Sequence, residues 1–365
     1  MDITPTPLTR WSGVEGRPLV IAGPCSAESE AQVLETARRL SHVRVDYLRA
    51  GIWKPRTRPG TFEGIGDAAL PWLRAAGATY GLKTAVEVAS AHHVEAALKH
   101  GIDLLWIGAR TTVNPFSVQE VANALRGTNQ PVLIKNPTSP DVGLWLGAVE
   151  RVHSAGVRAL GAIHRGFSVA GVTRFRNSPL WEIAIEFRRT FPSVPMLVDP
   201  SHISGRRDLI LEVSQSAMDL GFDGLMVETH PNPDQAWSDA AQQVTPERLG
   251  EILSRLKVRR AGSPDPDYTM QLEALRDQID HLDRELLDLL AQRMQVVEQI
   301  ADSKRANNVA TLQVARWRAM LESRLSRAAE LGLALDYTRA LFDVIHAESV
   351  RRQGEIMRED PRSSK

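Results

Sequence analysis

The sequence predicts an α/β protein in which a (β/α)8 (TIM) barrel is followed by a small domain of three helices. Three observations indicate this fold. Short apolar segments alternate with amphipathic helical patterns eight times within about 250 residues, as in a (β/α)8 barrel. A stretch rich in proline, glycine and charge interrupts the alternation at residues 257–269. One long helical pattern with near-heptad spacing of apolar residues follows it.

The predicted strands are short and mostly apolar, as strands covered on both faces are. They span residues 20–22, 47–49, 84–88, 104–108, 132–135, 160–163, 196–198 and 224–227. Helical patterns fill the gaps, for example at 91–99, 117–124, 144–154, 180–190 and 209–220. An open doubly wound sheet is the rival architecture, but six strands are more usual there. The predicted domains are the barrel at 1–256, a linker at 257–269, the helical domain at 270–357 and a polar tail at 358–365.

The composition excludes several classes of partner. The 44 basic and 44 acidic residues balance, so we expect neither nucleic acid nor a membrane surface as a partner. No apolar run approaches the roughly 20 residues of a membrane-spanning helix. The single cysteine, Cys25, excludes an intrachain disulfide and fits a reducing compartment. We therefore expect a cytoplasmic enzyme that acts on small molecules.

The barrel predicts where the chemistry lies, because active sites of such barrels sit just after the strands, at the C-terminal face. Every predicted strand is followed by an ionisable or metal-binding side chain. In chain order these are Cys25; Arg49 with Lys54 and Arg56; Glu87; Arg110; Lys135; His164 with Arg165; Asp199 with His202; and Glu228 with His230. Loops are polar in general, but all eight positions together indicate one site.

A metal centre is one interpretation of these residues. Cys25, His202, Glu228 and Asp239 would offer a thiolate, an imidazole and two carboxylates, a set that suits one divalent ion of Mn, Fe, Co or Zn. On pattern alone Asp199 and His230 are equally available, and a lone cysteine is more often a small buried hydrophobe.

Several cations are predicted to converge on the same mouth. Lys54 and Arg56 follow the second strand, and Arg110, Lys135 and Arg165 follow the fourth, fifth and sixth. Like charges that face one cavity repel each other unless an anion fills it, and arginine binds phosphate and carboxylate oxygens bidentately. The residues themselves therefore indicate a metal-dependent barrel enzyme for phosphorylated, anionic substrates.

Five motifs at these strand ends resemble a known family. They are Ala22-Gly23-Pro24-Cys25-Ser26, Lys54-Pro55-Arg56-Thr57-Arg58-Pro59-Gly60, Ile107-Gly108-Ala109-Arg110, Asp199-Pro200-Ser201-His202, and Glu228-Thr229-His230-Pro231 with Ser238-Asp239. Over about residues 18–256 the chain is similar to 3-deoxy-D-arabino-heptulosonate 7-phosphate (DAHP) synthases, in their short type I form. The related 3-deoxy-octulosonate 8-phosphate synthases usually replace Pro55 by Ala-Asn, which argues against them.

The resemblance implies condensation of phosphoenolpyruvate with erythrose 4-phosphate and release of phosphate. It implies the metal ligands Cys25, His202, Glu228 and Asp239, with the metal polarising the aldehyde oxygen. The other implied roles are as follows: Arg49 and Lys54 at the phosphoenolpyruvate carboxylate; Ala109 (backbone), Arg110, Lys135 and Arg165 at its phosphate; Arg56 and Thr57 at erythrose 4-phosphate; Lys54 and Arg56 in catalysis. The chain departs from the family at His164, where glutamate is commoner, and at Asn136-Pro137, after Lys135.

The long helix of the second domain carries an apolar stripe, which predicts a homodimer built through this domain. The stripe consists of Leu272, Leu275, Ile279, Leu282, Leu286, Leu289, Val296 and Ile300. Arg293 lies on the stripe, and Lys304 has nearly the same helical angle about 16 Å further along the axis. A buried arginine needs an anionic partner, either a dicarboxylate ligand or an interchain Glu or Asp.

Residues 270–357 resemble the all-helical chorismate mutases. The resemblance rests on Arg276, Ile279-Asp280, Asp283, Leu286-Leu287, Leu289-Leu290, Arg293, Lys304, Arg316, Ser349 and Gln353. It implies an intertwined dimer that binds chorismate through Arg293, Lys304, Arg316, Ser349 and Gln353, with Arg276 supplied by the partner chain. Lys304 and Gln353 would act on the ether oxygen that becomes electron rich. Gln313 and Trp317 depart from the family, since acidic residues are common at both positions.

Two interpretations of the helical domain remain. It is a second catalytic domain, with chorismate or prephenate as an inhibitor of the barrel, or it is only a ligand-sensing and dimerisation module. A barrel that uses a different aldehyde is a third hypothesis, about the first domain.

Overall fold

The computed structural model describes residues 3–54, 60–171, 174–260 and 262–358. The chain divides into two compact units, Met1–Ala261 and Gly262–Lys365. In the described ranges no helix combines the length and the apolar character needed to cross a membrane.

The first unit is a closed barrel of eight parallel strands, which confirms the predicted fold. Each strand pairs with the next along the chain, and the last strand pairs with the first, with Leu19 opposite Gly224 and Gly23 opposite Glu228. The strands are β1 Leu19–Gly23, β2 Tyr47–Arg49, β3 Lys83–Val88, β4 Leu104–Ile107, β5 Val132–Lys135, β6 Leu160–His164, β7 Met196–Val198 and β8 Gly224–Glu228.

Helices surround the barrel and follow its strands. They are α1 Leu8–Ser12, α2 Glu30–Leu40, α3 Leu70–Tyr80, α4 Ala91–Lys99, α5 Ala109–Thr112, α6 Pro115–Ala124, α7 Val142–Ser154, α8 Trp181–Thr190, α9 Pro200–Ser204, α10 Ile210–Asp219 and α11 Pro246–Arg255. Shorter 3-10 turns span Gly66–Ala69, Arg207–Leu209, Pro233–Gln235 and Ala240–Gln242.

The strands bury both of their faces, so the barrel has two apolar layers. Inward side chains such as Tyr47, Trp106, Ile163 and Met226 fill its centre. The alternate side chains pack outward against the helices in a larger layer. Because successive residues of a strand point to opposite sides, the residue at the end of each strand faces either the mouth or the helical layer.

Local sequence signals set several helix starts. Helices α6, α11 and the long helix of the second unit each begin with proline, preceded by Asn114, Thr245 and Asp265, whose side chains accept hydrogen bonds from backbone N–H groups of the first turn. This combination satisfies groups that a helix start leaves unpaired. The long helix therefore begins at Pro266, inside the segment 257–269 that the sequence predicts as a linker.

The second unit consists of three helices, α12 Pro266–Ala306, α13 Val314–Glu330 and α14 Leu335–Arg358. Helix α12 has 41 residues and is about 60 Å long. Val297 and Ala301 are buried on α12, and Ile356 is buried on α14. Most of the predicted apolar stripe has no cover within one chain: Ile279 is 56% exposed and Leu289 is 61% exposed.

Candidate active sites

The first strand brings Cys25 to the barrel mouth. It ends at Gly23, whose φ is +148°, and a Cβ atom there would collide with the backbone oxygen of Arg49. A glycine is therefore needed for β1 and β2 to approach at this point. Cys25 follows two residues later and is completely buried.

Charged groups surround the sulfur of Cys25. The Lys54 ammonium donates to Sγ at 2.5 Å, and Sγ lies 3.3 Å from Oδ2 of Asp239. Burial and the nearby Glu228 carboxylate raise the pKa of the Cys25 thiol to about 12. In this environment the sulfur keeps its proton unless further positive charge replaces it.

Three potential metal ligands lie together at the mouth. One ligand atom each from Cys25, Glu228 and Asp239 falls within 4.8 Å of the others. Asp239 adopts a left-handed backbone conformation with φ of +46°, which is strained for a residue with a side chain and is typical of functional sites. Burial would raise the pKa of Asp239, but Arg176, Lys54 and His202 together hold it below its usual range.

His202 lies beside this cluster rather than within it. Its Nε2 atom is 3.8 Å from Oε1 of Glu228, and its Nδ1 atom is 2.8 Å from Oδ2 of Asp199. Asp199 also accepts a hydrogen bond from Nζ of Lys135 at 2.7 Å. The Asp199 carboxylate thus orients the His202 ring, which directs the other ring nitrogen toward Glu228.

Cations line a cavity of about 280 Å³ next to the cluster. Its walls include Arg110, Lys135, Arg165 and Arg176, with one carboxylate, that of Glu87. In the described part of the chain, neither Arg110 nor Arg165 has a carboxylate within ion-pair distance, whereas Lys135 and Arg176 are paired. Burial lowers the pKa of Arg165 to about 10. An anion in this cavity would relieve the repulsion between the cations.

A smaller cavity of about 70 Å³ joins the cations to the thiol cluster. It is lined by Cys25, Arg49, Gly51, Trp53, Lys54, Glu87, Arg110, Arg165, Arg176, His202, Glu228 and Asp239. Arg49 is 3% exposed, lies 3.2 Å from Oε1 of Glu228 and stacks over the Trp106 ring at 4.9 Å. Ala109 begins helix α5 at the edge of the larger cavity.

Two ionisable strand-end residues lie away from the mouth. His164 points outward, since its predecessor Ile163 faces the barrel centre, and its ring packs against Trp145 and Trp181. Burial there lowers the pKa of His164 to about 3. The expectation that all eight strand ends serve one site is therefore wrong for His164.

The second of these residues, His230, supports the loop that carries Asp239. Its Nδ1 atom accepts a hydrogen bond from the backbone of Asn232, and its Nε2 atom lies 3.3 Å from Oε2 of Glu28. Glu28 also accepts the backbone N–H of Trp237 at 2.7 Å. This pair fixes the loop between β8 and α11 to the loop after β1.

Arg176 is a site residue that the sequence analysis missed. It donates to Asp239 at 3.2 Å and to Gln242 at 2.6 Å, and it lines both cavities. Arg176 lies in the long loop between β6 and α8, which carries no periodic pattern. The length of that loop was the available signal, because long loops after barrel strands often carry function. The predicted site residues Arg56 and Thr57 lie outside the described residues.

The helical unit brings together four of its six predicted site residues. Arg293 donates to Oγ of Ser349 at 2.6 Å, and Lys304 lies 3.2 Å from Oε1 of Gln353. Lys304 also donates to the backbone oxygen of Thr311. The partner of Arg293 in one chain is thus a neutral hydroxyl, and burial and Arg324 lower the pKa of its guanidinium.

The other two predicted site cations of the helical unit, Arg276 and Arg316, are exposed. Arg276 pairs with Glu273 on the surface of α12. It lies 17 residues before Arg293, which is roughly 25 Å along the helix. Arg276 therefore does not reach Arg293 and Lys304 in the same chain.

Comparison with known proteins matches each unit to a family. Residues 6–260 match the model of the DAHP synthetase I family, and residues 275–354 match that of chorismate mutase type II. A phospho-2-dehydro-3-deoxyheptonate aldolase of Thermotoga maritima is 34% identical over 238 residues, which are 65% of this chain and 68% of the relative. A 2-dehydro-3-deoxyphosphooctonate aldolase of Francisella tularensis is 27% identical over 264 residues, 66% of this chain and 91% of the relative.

Two solved structures are also similar to this chain. The crystal structure of the Thermotoga maritima DAHP synthase is similar with a TM-score of 0.59 and 32% identity, over 66% of this chain and 68% of that chain. A truncated form of the synthase from the same organism has a TM-score of 0.59 and 29% identity, over 69% of this chain and 90% of that chain.

Proposed function

The chain belongs to the DAHP synthetase I family through residues 6–260 and carries a chorismate mutase type II domain at 275–354, and from this premise we propose its two reactions. The barrel condenses phosphoenolpyruvate with erythrose 4-phosphate. The helical unit rearranges chorismate to prephenate. The observation that supports the first reaction is a thiol and two carboxylates beside a cavity lined by cations.

The residues of the cluster fit a borderline divalent ion. Oε1 of Glu228 is buried and accepts no hydrogen bond, although the Arg49 guanidinium lies 3.2 Å away. The Cys25 sulfur, which contacts Lys54 and Asp239, is protonated unless a metal replaces the proton. Cys25, Glu228 and Asp239 would hold the ion, with His202 as the fourth ligand. When bound, such an ion supplies Lewis acidity to an aldehyde oxygen.

The chain's own residues have separate roles in the condensation. Arg165 and Arg110 bind the phosphate of phosphoenolpyruvate, since neither has a carboxylate partner among the described residues. Arg49, buried against Trp106, binds its carboxylate. Carbon 3 of phosphoenolpyruvate attacks the aldehyde carbon, and the new alkoxide oxygen takes a proton, for which the Lys54 ammonium is positioned. Water adds to carbon 2, the bond from carbon 2 to the bridging oxygen of the phosphate breaks, and inorganic phosphate leaves while the added oxygen becomes the ketone.

The identity of the aldehyde substrate is tested by comparing two phosphosugars. We expect purified enzyme with added Mn²⁺ to consume phosphoenolpyruvate with erythrose 4-phosphate, and about 100 times more slowly with arabinose 5-phosphate. Loss of the ultraviolet absorbance of phosphoenolpyruvate and release of phosphate measure both rates. Preference for the five-carbon sugar would assign the barrel to octulosonate synthesis, the activity named for the 27% identical Francisella relative.

Metal dependence is tested by chelation. Enzyme dialysed against EDTA should lose its activity and regain it with one equivalent of a divalent ion. Full activity in EDTA with no metal detected by elemental analysis would contradict the proposed centre.

We propose that the mutase reaction needs no covalent step. Arg293 and Arg316 bind the two carboxylates of chorismate, while Lys304 and Gln353 donate to the ether oxygen as its bond breaks. Gln353 is buried, accepts a hydrogen bond from Nζ of Lys304 at 3.2 Å and donates one to the backbone oxygen of Ser349, so these contacts hold the two side chains beside each other.

The proposed homodimer would cover the stripe on α12 and supply Arg276 of the partner subunit to each site. It is tested by complementation. Arg276→Ala and Arg293→Ala should each abolish mutase activity, whereas unfolding and refolding the two variants together should restore about a quarter of it, since a heterodimer has one intact site. No restoration, or a monomer by light scattering, would overturn this arrangement.

A second candidate function of the helical unit is a ligand sensor that does not catalyse the rearrangement. Trp317 and Gln313 favour it, because they stand where acidic residues are common in the mutases. Loss of chorismate absorbance at the uncatalysed rate would support the sensor.

We further propose that chorismate or prephenate bound by the helical unit inhibits the barrel. Prephenate should slow consumption of phosphoenolpyruvate in the wild type but not in Arg293→Ala, and equal inhibition of both proteins would contradict the proposal.

A further inference from the structure

Helices α13 and α14 meet through two stacked rings. The Trp317 indole and the His346 imidazole have ring centroids 3.8 Å apart and planes inclined by 12°. Both side chains are half-buried. Stacking on a large flat ring holds the imidazole in one orientation while leaving its edge free for hydrogen bonds.

His346 lies on the face of α14 that carries two residues of the mutase site. His346, Ser349 and Gln353 are spaced by three and four residues, so they share one face of α14. Ser349 and Gln353 contact the two cations of α12, Arg293 and Lys304. The pKa of His346 is lowered by burial and by Arg293 and Lys304, against the opposite effect of Asp343 on its own helix. Both cations therefore favour the neutral form of the ring.

A neutral imidazole offers one N–H donor and one acceptor nitrogen. No hydrogen bond within the described part of the chain fixes either His346 nitrogen. Chorismate carries two carboxylates, which suit the cations, and one ring hydroxyl, which also has one donor and an acceptor oxygen. The hydroxyl is the group of this substrate that both donates and accepts hydrogen bonds, as a neutral imidazole does.

We propose that His346 binds the ring hydroxyl of chorismate, and that Trp317 fixes the His346 ring for this contact. The assignment rests on the proposed mutase reaction. It gives the site a neutral group for a neutral part of the substrate. It also makes the pair Trp317–His346 the element that discriminates substrates with the hydroxyl from those without it.

The test compares chorismate with the analogue in which hydrogen replaces the ring hydroxyl. We expect His346→Ala to lower kcat/KM for chorismate about 10-fold, the effect of one lost hydrogen bond, and to leave the analogue unchanged. His346→Gln, which keeps a donor and an acceptor, should restore most of the loss. Tyr337→Phe, at a position of α14 that is 61% exposed, is the control. An equal loss for both substrates, or none, would overturn the proposal.

A second measurement separates this contact from the mutase reaction itself. Calorimetric binding of a stable bicyclic dicarboxylate shaped like the transition state, with and without its hydroxyl, reports on His346 even if the wild type does not turn over. A wild type that binds the hydroxyl form about 10-fold more tightly than His346→Ala does, yet is inactive, would refute the mutase reaction alone. Equal affinity of the two proteins for the hydroxyl form would refute the His346 contact alone.

Discussion

The Lys54 ammonium lies 2.5 Å from the sulfur of Cys25, and a carboxylate oxygen of Asp239 lies 3.3 Å from the same sulfur. The thiol therefore has a cation on one side and an anion on the other. Cys25 and Asp239 are two of the proposed metal ligands, whereas Lys54 has a role in the reaction. This arrangement predicts that metal binding and turnover can be separated by mutation.

Cys25→Ser should lose metal and activity together, because a hydroxyl does not ionise as a thiol does. Mutation of a residue that only hydrogen-bonds to a metal ligand typically costs roughly 10–100-fold in metal affinity. Cys25 is itself a proposed ligand, so we expect its replacement to lower the affinity by more than about 100-fold. Lys54→Met should keep the metal but lose turnover of phosphoenolpyruvate. Elemental analysis and the two-substrate assay measure both quantities, and a metal-free Lys54→Met protein would contradict the separation.

Arg176→Gln should weaken both the metal site and substrate binding, since Arg176 contacts Asp239 and lines the cationic cavity. We expect KM for phosphoenolpyruvate to rise about 10-fold, equivalent to roughly 1.4 kcal/mol. Arg174→Gln is a matched control, because Arg174 is exposed and pairs with Glu212. An unchanged KM in Arg176→Gln, or an equal rise in the control, would remove Arg176 from the site.

We expect the buried His164 to make the barrel less stable at acidic pH. Its pKa is lowered to about 3 in the folded protein by burial, against an ordinary value of 6.5. Between these values the unfolded chain binds a proton that the folded chain does not, so stability falls as the pH falls from 6.5 toward 3. The slope contributed by this group is at most about 1.4 kcal/mol per pH unit.

This slope is measured as the midpoint of barrel unfolding in urea between pH 6.5 and pH 4. His164→Leu should flatten it, whereas His42→Gln, at an exposed position, should leave it as in the wild type. Parallel curves for wild type and His164→Leu would show that His164 does not remain neutral in the folded barrel.

We expect His346 to take up a proton when a ligand binds the helical unit. Arg293 and Lys304 from α12 lower its pKa, and Asp343 on α14 opposes them. A dianionic ligand would neutralise the two cations and raise this pKa. The bicyclic dicarboxylate should therefore bind more tightly as the pH falls from 7.5 toward 5.5, with protons taken up in calorimetry. His346→Gln should lose this uptake; the same uptake in that variant would assign it to another group.

The barrel was predictable because each of its strands leaves a local signal. A run of apolar residues such as Leu104–Ile107 is recognisable without its neighbours, and strand pairing follows chain order. Candidate residues such as Cys25, Glu228 and Lys135 were found because they directly follow such runs, at the end where barrels carry their sites.

Other features depend on contacts that a linear pattern does not contain. His164 and Arg165 are neighbours in sequence, but the alternation of side chains places His164 among aromatic rings and Arg165 at the cavity. Arg176 reaches Asp239 from an irregular loop. The stacking of His346 on Trp317 joins two helices, so neither residue alone indicated it.

The single cysteine of the chain is a built-in probe of the barrel mouth. Because Cys25 is the only thiol and is fully buried, a thiol reagent added to denatured protein modifies one group per chain, at the rate of an accessible thiol. The same reagent added to folded protein modifies Cys25 only as often as the barrel mouth opens. The ratio of the two modification rates therefore measures the opening equilibrium of this site, without an introduced label.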